Sequence, residues 1–296
     1  MVTVILKGGL GNQMFQYAFG KALALEKNEE MILDTSFLDT RLPVKDFTLR
    51  KYDLDMFGVN DTLQTTFRNT IFKEKLGYIF LKIKSAFNQE YLQEKTNPYA
   101  YEDDIYSLAL QAKKPVLEGY FNNYQYFEKH KSEITKIFDM SKLYDQKFVE
   151  IEDQIKTNNS VSINIRRGDY LNSKHKDIFV QLNKEYYQKA IKIIRDKVRK
   201  PLFFVFSYDH PDWIKKELAF GIDELVIVGN EYVGERFKTY LRLISLCKHN
   251  IISNSTFAFW GAYLNKNKGK IVISPEKWMT NYNFENPKDW IALLNA

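Results

Sequence analysis

From Ser160 onwards short apolar strands alternate with helical stretches five times, and this alternation constrains the fold more than any other feature of the chain. "SVSINIR" (Ser160–Arg166) alternates as a strand does. "KEYYQKAIKIIRDKV" (Lys184–Val198) places Tyr187, Ile191 and Ile194 at helical spacing. "PLFFVFS" (Pro201–Ser207) is a continuous apolar run, as expected of a strand buried on both faces. A helix beginning near Pro211 follows, then a strand over Glu224–Val228, a helix over Glu235–Cys247 and a strand over Asn250–Ser253. A helix over Thr256–Leu264, a strand over Lys270–Ser274 and a terminal helix in "PKDWIALLN" complete the reading. Such a succession predicts a parallel sheet with helices on both faces.

The first half begins in the same way. "VTVIL" reads as a strand, "NQMFQYAFGKALALEK" as a helix, "EMILD" as a second strand and "KPVLEGYF" (Lys114–Phe121) as another strand of the same sheet. With 296 residues and 45% hydrophobic content, the chain can bury one large core or two ordinary ones. The expectation is an α/β protein of two domains facing across a cleft, residues 1–157 and 158–296, with the boundary near Asn158 and Asn159.

Composition narrows the setting. A formal charge of +6 and a pI near 9.0 suit an anionic partner: nucleic acid, a membrane surface or a phosphorylated substrate. The single cysteine, Cys247, precludes an intrachain disulfide, and no Cys/His cluster has zinc spacing. The apolar start is too short for a signal peptide, and no apolar stretch is long enough to span a bilayer. A cytoplasmic location is the expectation.

Five segments carry candidate chemistry. In parallel sheets ligands bind beyond the carboxyl ends of the strands. Arg166 and Arg167 stand there, followed by Gly168 and Asp169; a guanidinium fork grips phosphate through paired hydrogen bonds. The bland alternative is one solvated arginine and one paired with Asp169. "GGLGNQMFQ" (Gly8–Gln16) lets the backbone approach a ligand between a strand and a helix, or is an ordinary tight turn. It is neither a dinucleotide fingerprint, since Met14 stands at the third glycine, nor a Walker A loop. "SNSTFAFWG" (Ser253–Gly261) begins a helix capped by Ser255 or Thr256, and a helix N-terminus can be both capped and phosphate-binding. Asp53 and Asp55 have the Asp-x-Asp spacing of some metal-binding transferases, though in a strand such a pair is more often a solvated face. "FRNTIFKEKLGYIFLKIKSAF" (Phe67–Phe87) reads as a basic amphipathic helix, suited either to an anionic membrane surface or to packing on its own domain. No nucleic-acid motif accompanies the charge, so nucleic acid is not an expected partner.

Taken together, "GGLGNQMFQYAFGKALA", "RRGDY" and "SLCKHNIISNSTFAFWGAYLN" resemble the three signatures of the bacterial family 11 glycosyltransferases, the α-1,2-fucosyltransferases that use GDP-fucose. "LDTSF", "RKYDLDMF" and "LEGYFNNYQYF" extend the resemblance in order along nearly the whole chain. It implies a GT-B-like fold of two Rossmann-like domains, an inverting transfer of fucose to a glycan hydroxyl such as galactose O2, and no metal or other cofactor. It demotes Asp53 and Asp55 to structural or acceptor-side residues. Through it Arg166 becomes the catalytic contact to the diphosphate, with Arg167, Asn254, Ser255, Thr256 and Phe257 beside the nucleotide sugar and Asp209 against guanine. Gly9, Gly11, Asn12 and Gln13 would line the cleft from the other domain. Asp169, His175 and Asp177 are candidate general bases by position, and Asp169 is taken as catalytic. The chain departs from the family pattern at Asn164, where that pattern has His, at Thr239–Tyr240, where it has an acidic pair, and at Tyr208, where it has Asp. Asn164 still donates and accepts hydrogen bonds, so nucleotide contact can survive. These changes fall on the donor side and leave open another nucleotide sugar, or a binding protein without catalysis.

Overall fold

A computed structural model describes residues 1–39, 50–59, 63–64, 90–95, 97–165, 179–207, 214, 217–218 and 224–295. They form two compact units, Met1–Phe138 and Asp139–Ala296. Each is a parallel α/β unit of Rossmann type, as the GT-B-like expectation requires.

The first unit holds strands β1 (Val2–Ile5), β2 (Met31–Asp34), β3 (Leu63–Gln64), β4 (Tyr91–Gln93) and β5 (Val116–Glu118). They pair in the order β3-β2-β1-β5-β4, every pair parallel. Its longer helices are α1 (Leu10–Lys27), α2 (Asp103–Gln111) and α3 (Lys131–Ile137). Aromatic rings fill the space against α1: Phe19 packs within ring distance of Tyr106, Phe121 and Tyr126. The abundance of Phe and Tyr in the sequence is therefore largely core here.

The second unit holds helices α4 (Val149–Thr157), α5 (Lys184–Lys197), α6 (Lys238–Leu246) and α7 (Thr256–Tyr263). Its main strands are β6 (Asn159–Asn164), β7 (Pro201–Phe206), β8 (Leu225–Val228), β9 (His249–Ile251) and β10 (Val272–Pro275), with β11 (Lys277–Met279) and β12 (Tyr282–Asn283) forming a small antiparallel pair. Strand β13 (Ile291–Leu293) completes a parallel sheet in the order β13-β10-β9-β6-β7-β8. Strand β7 is buried on both faces, as its apolar run predicts: Phe203 and Val205 join one core cluster, Phe204 and Phe206 the other.

Several expectations are corrected. "PKDWIALLN" is not a helix. Its Ile291 and Leu293 alternate, and β13 pairs parallel with β10, giving that edge strand a partner. The helix expected over Glu235–Cys247 starts only at Lys238, because Arg236 and Phe237 take left-handed backbone angles. Asp53 and Asp55 lie at a 3₁₀ turn, Leu54–Phe57, rather than in a strand, so the shared-face argument does not hold for them. The compact units divide at Phe138, before the boundary expected at 157/158. The reason is a buried ion pair: Arg242 of α6 grips Glu152 of α4 through Nε and Nη2, and its Nη1 donates to the Met140 carbonyl at 2.6 Å. These bonds, with Lys266–Asp139 at 3.1 Å, tie residues 139–157 to the second sheet. The basic segment Phe67–Phe87 and the helix expected near Pro211 fall largely or wholly outside the described residues.

Candidate active site

In each sheet the chain builds outward to one side and then returns to the other. The reversal leaves a crevice at the carboxyl ends of two central strands, where open α/β sheets bind ligands. In the first sheet it lies between β1 and β5, and in the second between β6 and β9.

At the first crevice β1 runs into Lys7, Gly8 and Gly9. Gly8 has φ +81°, and a Cβ there would come within 2.6 Å of Asn12 Nδ2, so this turn requires glycine. Gly9 precedes α1 and accepts the amides of Asn12 and Gln13 at 2.9 and 3.0 Å. Gly11 is buried and Asn12 half-buried beside the turn. Gln13 is fully buried. Its Nε2 donates to the carbonyls of Gly8 (2.9 Å) and Lys51 (2.8 Å), and its Oε1 accepts from Asp53 N (3.0 Å). The Gln13 side chain, expected at the ligand, is here a strut that ties the Gly8 turn to residues 51–53.

Gln16, which sequence reasoning passed over, closes the crevice itself. Its Oε1 accepts from Lys7 N (3.0 Å), while Nε2 donates to the carbonyls of Lys7 (3.1 Å) and Gly119 (2.9 Å). Beyond β4, Glu94 accepts the amides of Tyr120 (2.8 Å) and Phe121. Burial pushes its carboxyl above the ordinary range, against the pull of those two amides and of Lys7. Lys7 Nζ stands 5.0 Å over the Tyr120 ring and 3.7 Å from Glu118.

The second crevice is built differently. Asn164 ends β6, and Ser253, just beyond β9, donates Oγ to its Oδ1 at 2.6 Å. This bond spans the reversal point and commits the Asn164 Oδ1, while its Nδ2 group is a donor. Asn254 is buried, and its Nδ2 donates to the carbonyls of Val180 (2.8 Å) and Trp278 (3.0 Å). Through these two bonds its amide nitrogen positions the loop before α7. Ser255 caps α7 and accepts from Ala258 N at 3.5 Å. Thr256 and Phe257 open the helix half-buried, and their amides precede any carbonyl within the helix that could accept them. A helix N-terminus over the reversal point of a parallel sheet is suited to an anion.

Packing explains how α7 reaches this place. A Cβ on Gly261 would lie 2.4 Å from Ile244 Cγ2, so glycine lets α6 and α7 approach closely. Beneath them Asn250 Nδ2 donates to Ser162 Oγ (2.8 Å) and the Ile244 carbonyl (2.9 Å), and Asn265 Nδ2 donates to Asn250 Oδ1 (2.7 Å). Tyr240, where the family pattern has an acidic residue, is buried and donates its hydroxyl to the carbonyls of Val228 and Gly229 at 2.5 and 2.8 Å. Arg166, Arg167, Asp169, His175, Asp177, Tyr208 and Asp209 lie outside the described residues. Among the described residues no group of three or more His, Cys, Asp or Glu is placed to hold a metal ion.

Comparison with known proteins identifies the relatives. A sequence model of Glycosyl transferase family 11 matches residues 1–293. An alpha-1,2-colitosyltransferase of Escherichia coli is 30% identical, covering 99% of this chain and 99% of that protein. The O-antigen biosynthesis glycosyltransferase WbnK of Escherichia coli is 32% identical over 94% of this chain and 95% of that protein. The galactoside alpha-(1,2)-fucosyltransferase 2 of Sus scrofa is 22% identical over 89% of this chain and 69% of that protein.

Proposed function

Since the chain belongs to glycosyl transferase family 11, we propose that it transfers L-fucose from GDP-fucose, with inversion, to a glycan hydroxyl, O2 of galactose, in the synthesis of O-antigen or a related surface polysaccharide. The acceptor oxygen attacks C1 of the sugar as the C1–O bond to the diphosphate breaks. The hydroxyl proton leaves to a base, and the bonding pair departs with the diphosphate. Negative charge grows on the leaving group, so fixed donors aimed at it lower the barrier. The observation that carries the reading is the α7 N-terminus, with Ser255 as its cap and the Asn164–Ser253 bond beside it at the reversal point of the second sheet. Arg166, which follows β6 in the chain, supplies the guanidinium fork. The reaction runs without a metal in this reading, and the basic segment Phe67–Phe87 gives a salt-sensitive contact with the inner face of the membrane.

A second reading keeps the reaction and changes the sugar. The colitosyltransferase relative matches almost end to end, and Tyr240 is committed to backbone carbonyls where the family pattern has an acidic group. A donor carrying colitose fits both observations.

Calorimetry with GDP, UDP, ADP and CMP in EDTA, on wild type and Arg166→Ala, tests the site. GDP preferred, and sharply weakened in the variant, is the expected result. Preference for UDP, or no nucleotide binding, overturns the donor reading. Transfer assays with GDP-fucose and GDP-colitose then separate the two sugars.

A further inference from the structure

The segment joining β8 to α6 has a conformation that its sequence does not favour. Gly234, Arg236 and Phe237 take φ of +67°, +50° and +62°. Residues with a Cβ adopt such angles only at a cost, and the surrounding structure must hold them there. It does so in two ways. Tyr240 pins the end of β8 through its hydroxyl, and Gly234 lies so close to the first turn of α6 that a Cβ would sit 2.1 Å from Thr239 Oγ1.

This turn presents the Phe237 ring. The ring is 39% exposed, unusual for a large apolar side chain in this unit, and its centroid lies 6.4 Å from that of Phe257 and 6.5 Å from that of Tyr240. Phe257 belongs to the first turn of α7, whose amides are the diphosphate site proposed above. A partly exposed aromatic ring therefore adjoins the proposed anion site. Two buried hydroxyls lie on the same side, Ser207 just beyond β7 (3% exposed) and Thr239 (1% exposed). Neither oxygen has a hydrogen-bond partner among the described residues. On the β10 side the edge is closed: Asn254 is tied to Val180 and Trp278, and the buried Trp278 indole stacks on Phe284 at 3.9 Å. Among the described residues, the side of α7 that is not closed in this way is the one that carries Phe237, Ser207 and Thr239.

We propose that Phe237 is the wall on which the nucleobase of the donor stacks, and that the left-handed turn Gly234–Phe237 exists to hold that ring beside the α7 N-terminus. The inference rests on the reading of α7 as the diphosphate site. A flat apolar ring recognises the π face shared by all bases, so Phe237 supplies affinity while hydrogen-bonding groups elsewhere select the base.

The test is calorimetric binding of GDP and of inorganic pyrophosphate to wild type, Phe237→Ala and Phe237→Trp. Phe237→Ala is expected to weaken GDP by about tenfold or more while leaving pyrophosphate unchanged, and Phe237→Trp to restore GDP, since base stacking on an aromatic ring is of that size. GDP affinity in Phe237→Ala within about twofold of wild type overturns the proposal alone. So does an equal loss of GDP and pyrophosphate, which would mean that the α6–α7 packing had collapsed. A wild-type protein that binds neither GDP nor pyrophosphate overturns the site reading, and this inference with it.

Discussion

Among the described residues, glutamine side chains fill the crevice of the first sheet, whereas a helix begins above that of the second. Between β1 and β5, Gln16 spans the gap with three hydrogen bonds and Gln13 ties down the adjoining turn with three more. At the carboxyl ends of β6 and β9, among the described residues, Ser253 donates to Asn164 across the reversal, and a helix begins above it with its first amides presented. In the proposed reading the first arrangement is a floor on the acceptor side, and the second supplies donors to a diphosphate whose charge grows as the bond breaks. One type of sheet reversal would then serve two tasks, depending on whether its donors are satisfied internally.

The variant that would break this comparison most sharply is Arg166→Lys. It keeps the positive charge that follows β6 in the chain and removes the planar fork. Turnover is expected to fall by about 10²–10³, the scale of losing one preorganised donor to a developing anion, with Tm unchanged. Steady-state kinetics beside a thermal melt checks both, and near-normal kcat would end the leaving-group role of Arg166. At the filled crevice the balance should reverse. Gln13→Ala leaves the Gly8 and Lys51 carbonyls and the Asp53 amide without their partner, a loss of about 1–3 kcal/mol of stability. Denaturant unfolding should show that loss while calorimetry shows GDP affinity intact. A large loss of GDP affinity with unchanged stability would put Gln13 back in contact with ligand.

Ser253→Ala sharpens the contrast with a smaller effect. It frees Asn164 Oδ1 and lets the side chain turn, so GDP should bind more weakly by about 0.5–1.5 kcal/mol. Pyrophosphate should weaken in parallel, because the bond orients the phosphate side of the site rather than the base side. Loss confined to GDP would assign Asn164 to the nucleoside instead.

Much of this was legible before any coordinates. The alternation from Ser160 placed the second sheet, and the helix start read at Ser255 or Thr256 is where α7 begins. What the sequence hid has physical reasons. Gln13 and Asn254 stand inside signature motifs, yet a polar side chain that serves the backbone looks the same in a sequence as one that serves a ligand. The Arg236–Phe237 turn was invisible because no glycine or asparagine marks those two left-handed positions; tertiary packing imposes them. Strand β13 was misread because a short apolar run near a proline fits a helix or a strand until a neighbouring strand is known. Gln16 had a signal: a glutamine three residues after Gln13 lies on nearly the same helix face, turned towards the same strand ends.

The smallest predicted effect lies at the amino end of the second sheet, where no ligand role is assigned. His249 begins β9, and its Nδ1 accepts from Ile271 N at 3.0 Å. Burial, and then the neighbouring Lys248, lower its pKa below the ordinary 6.5. The unfolded chain therefore takes up a proton at a pH where the folded chain does not. Stability from this group is complete above about pH 6.5, declines as the pH falls through the window beneath it, and levels off below the folded pKa. Carboxylates such as Glu152, where burial is outweighed by Arg242 and Lys156 so that the pKa falls below 4.5, lose their share only at lower pH. His249→Asn keeps an acceptor for the Ile271 amide and removes the titration. Melting curves between about pH 7 and about pH 5 should slope downward with acidification in wild type and flatten in the variant, with GDP affinity the same in both. An equal slope would move the titrating group elsewhere, and a change in GDP affinity would show that the amino end of the sheet is not mere scaffold.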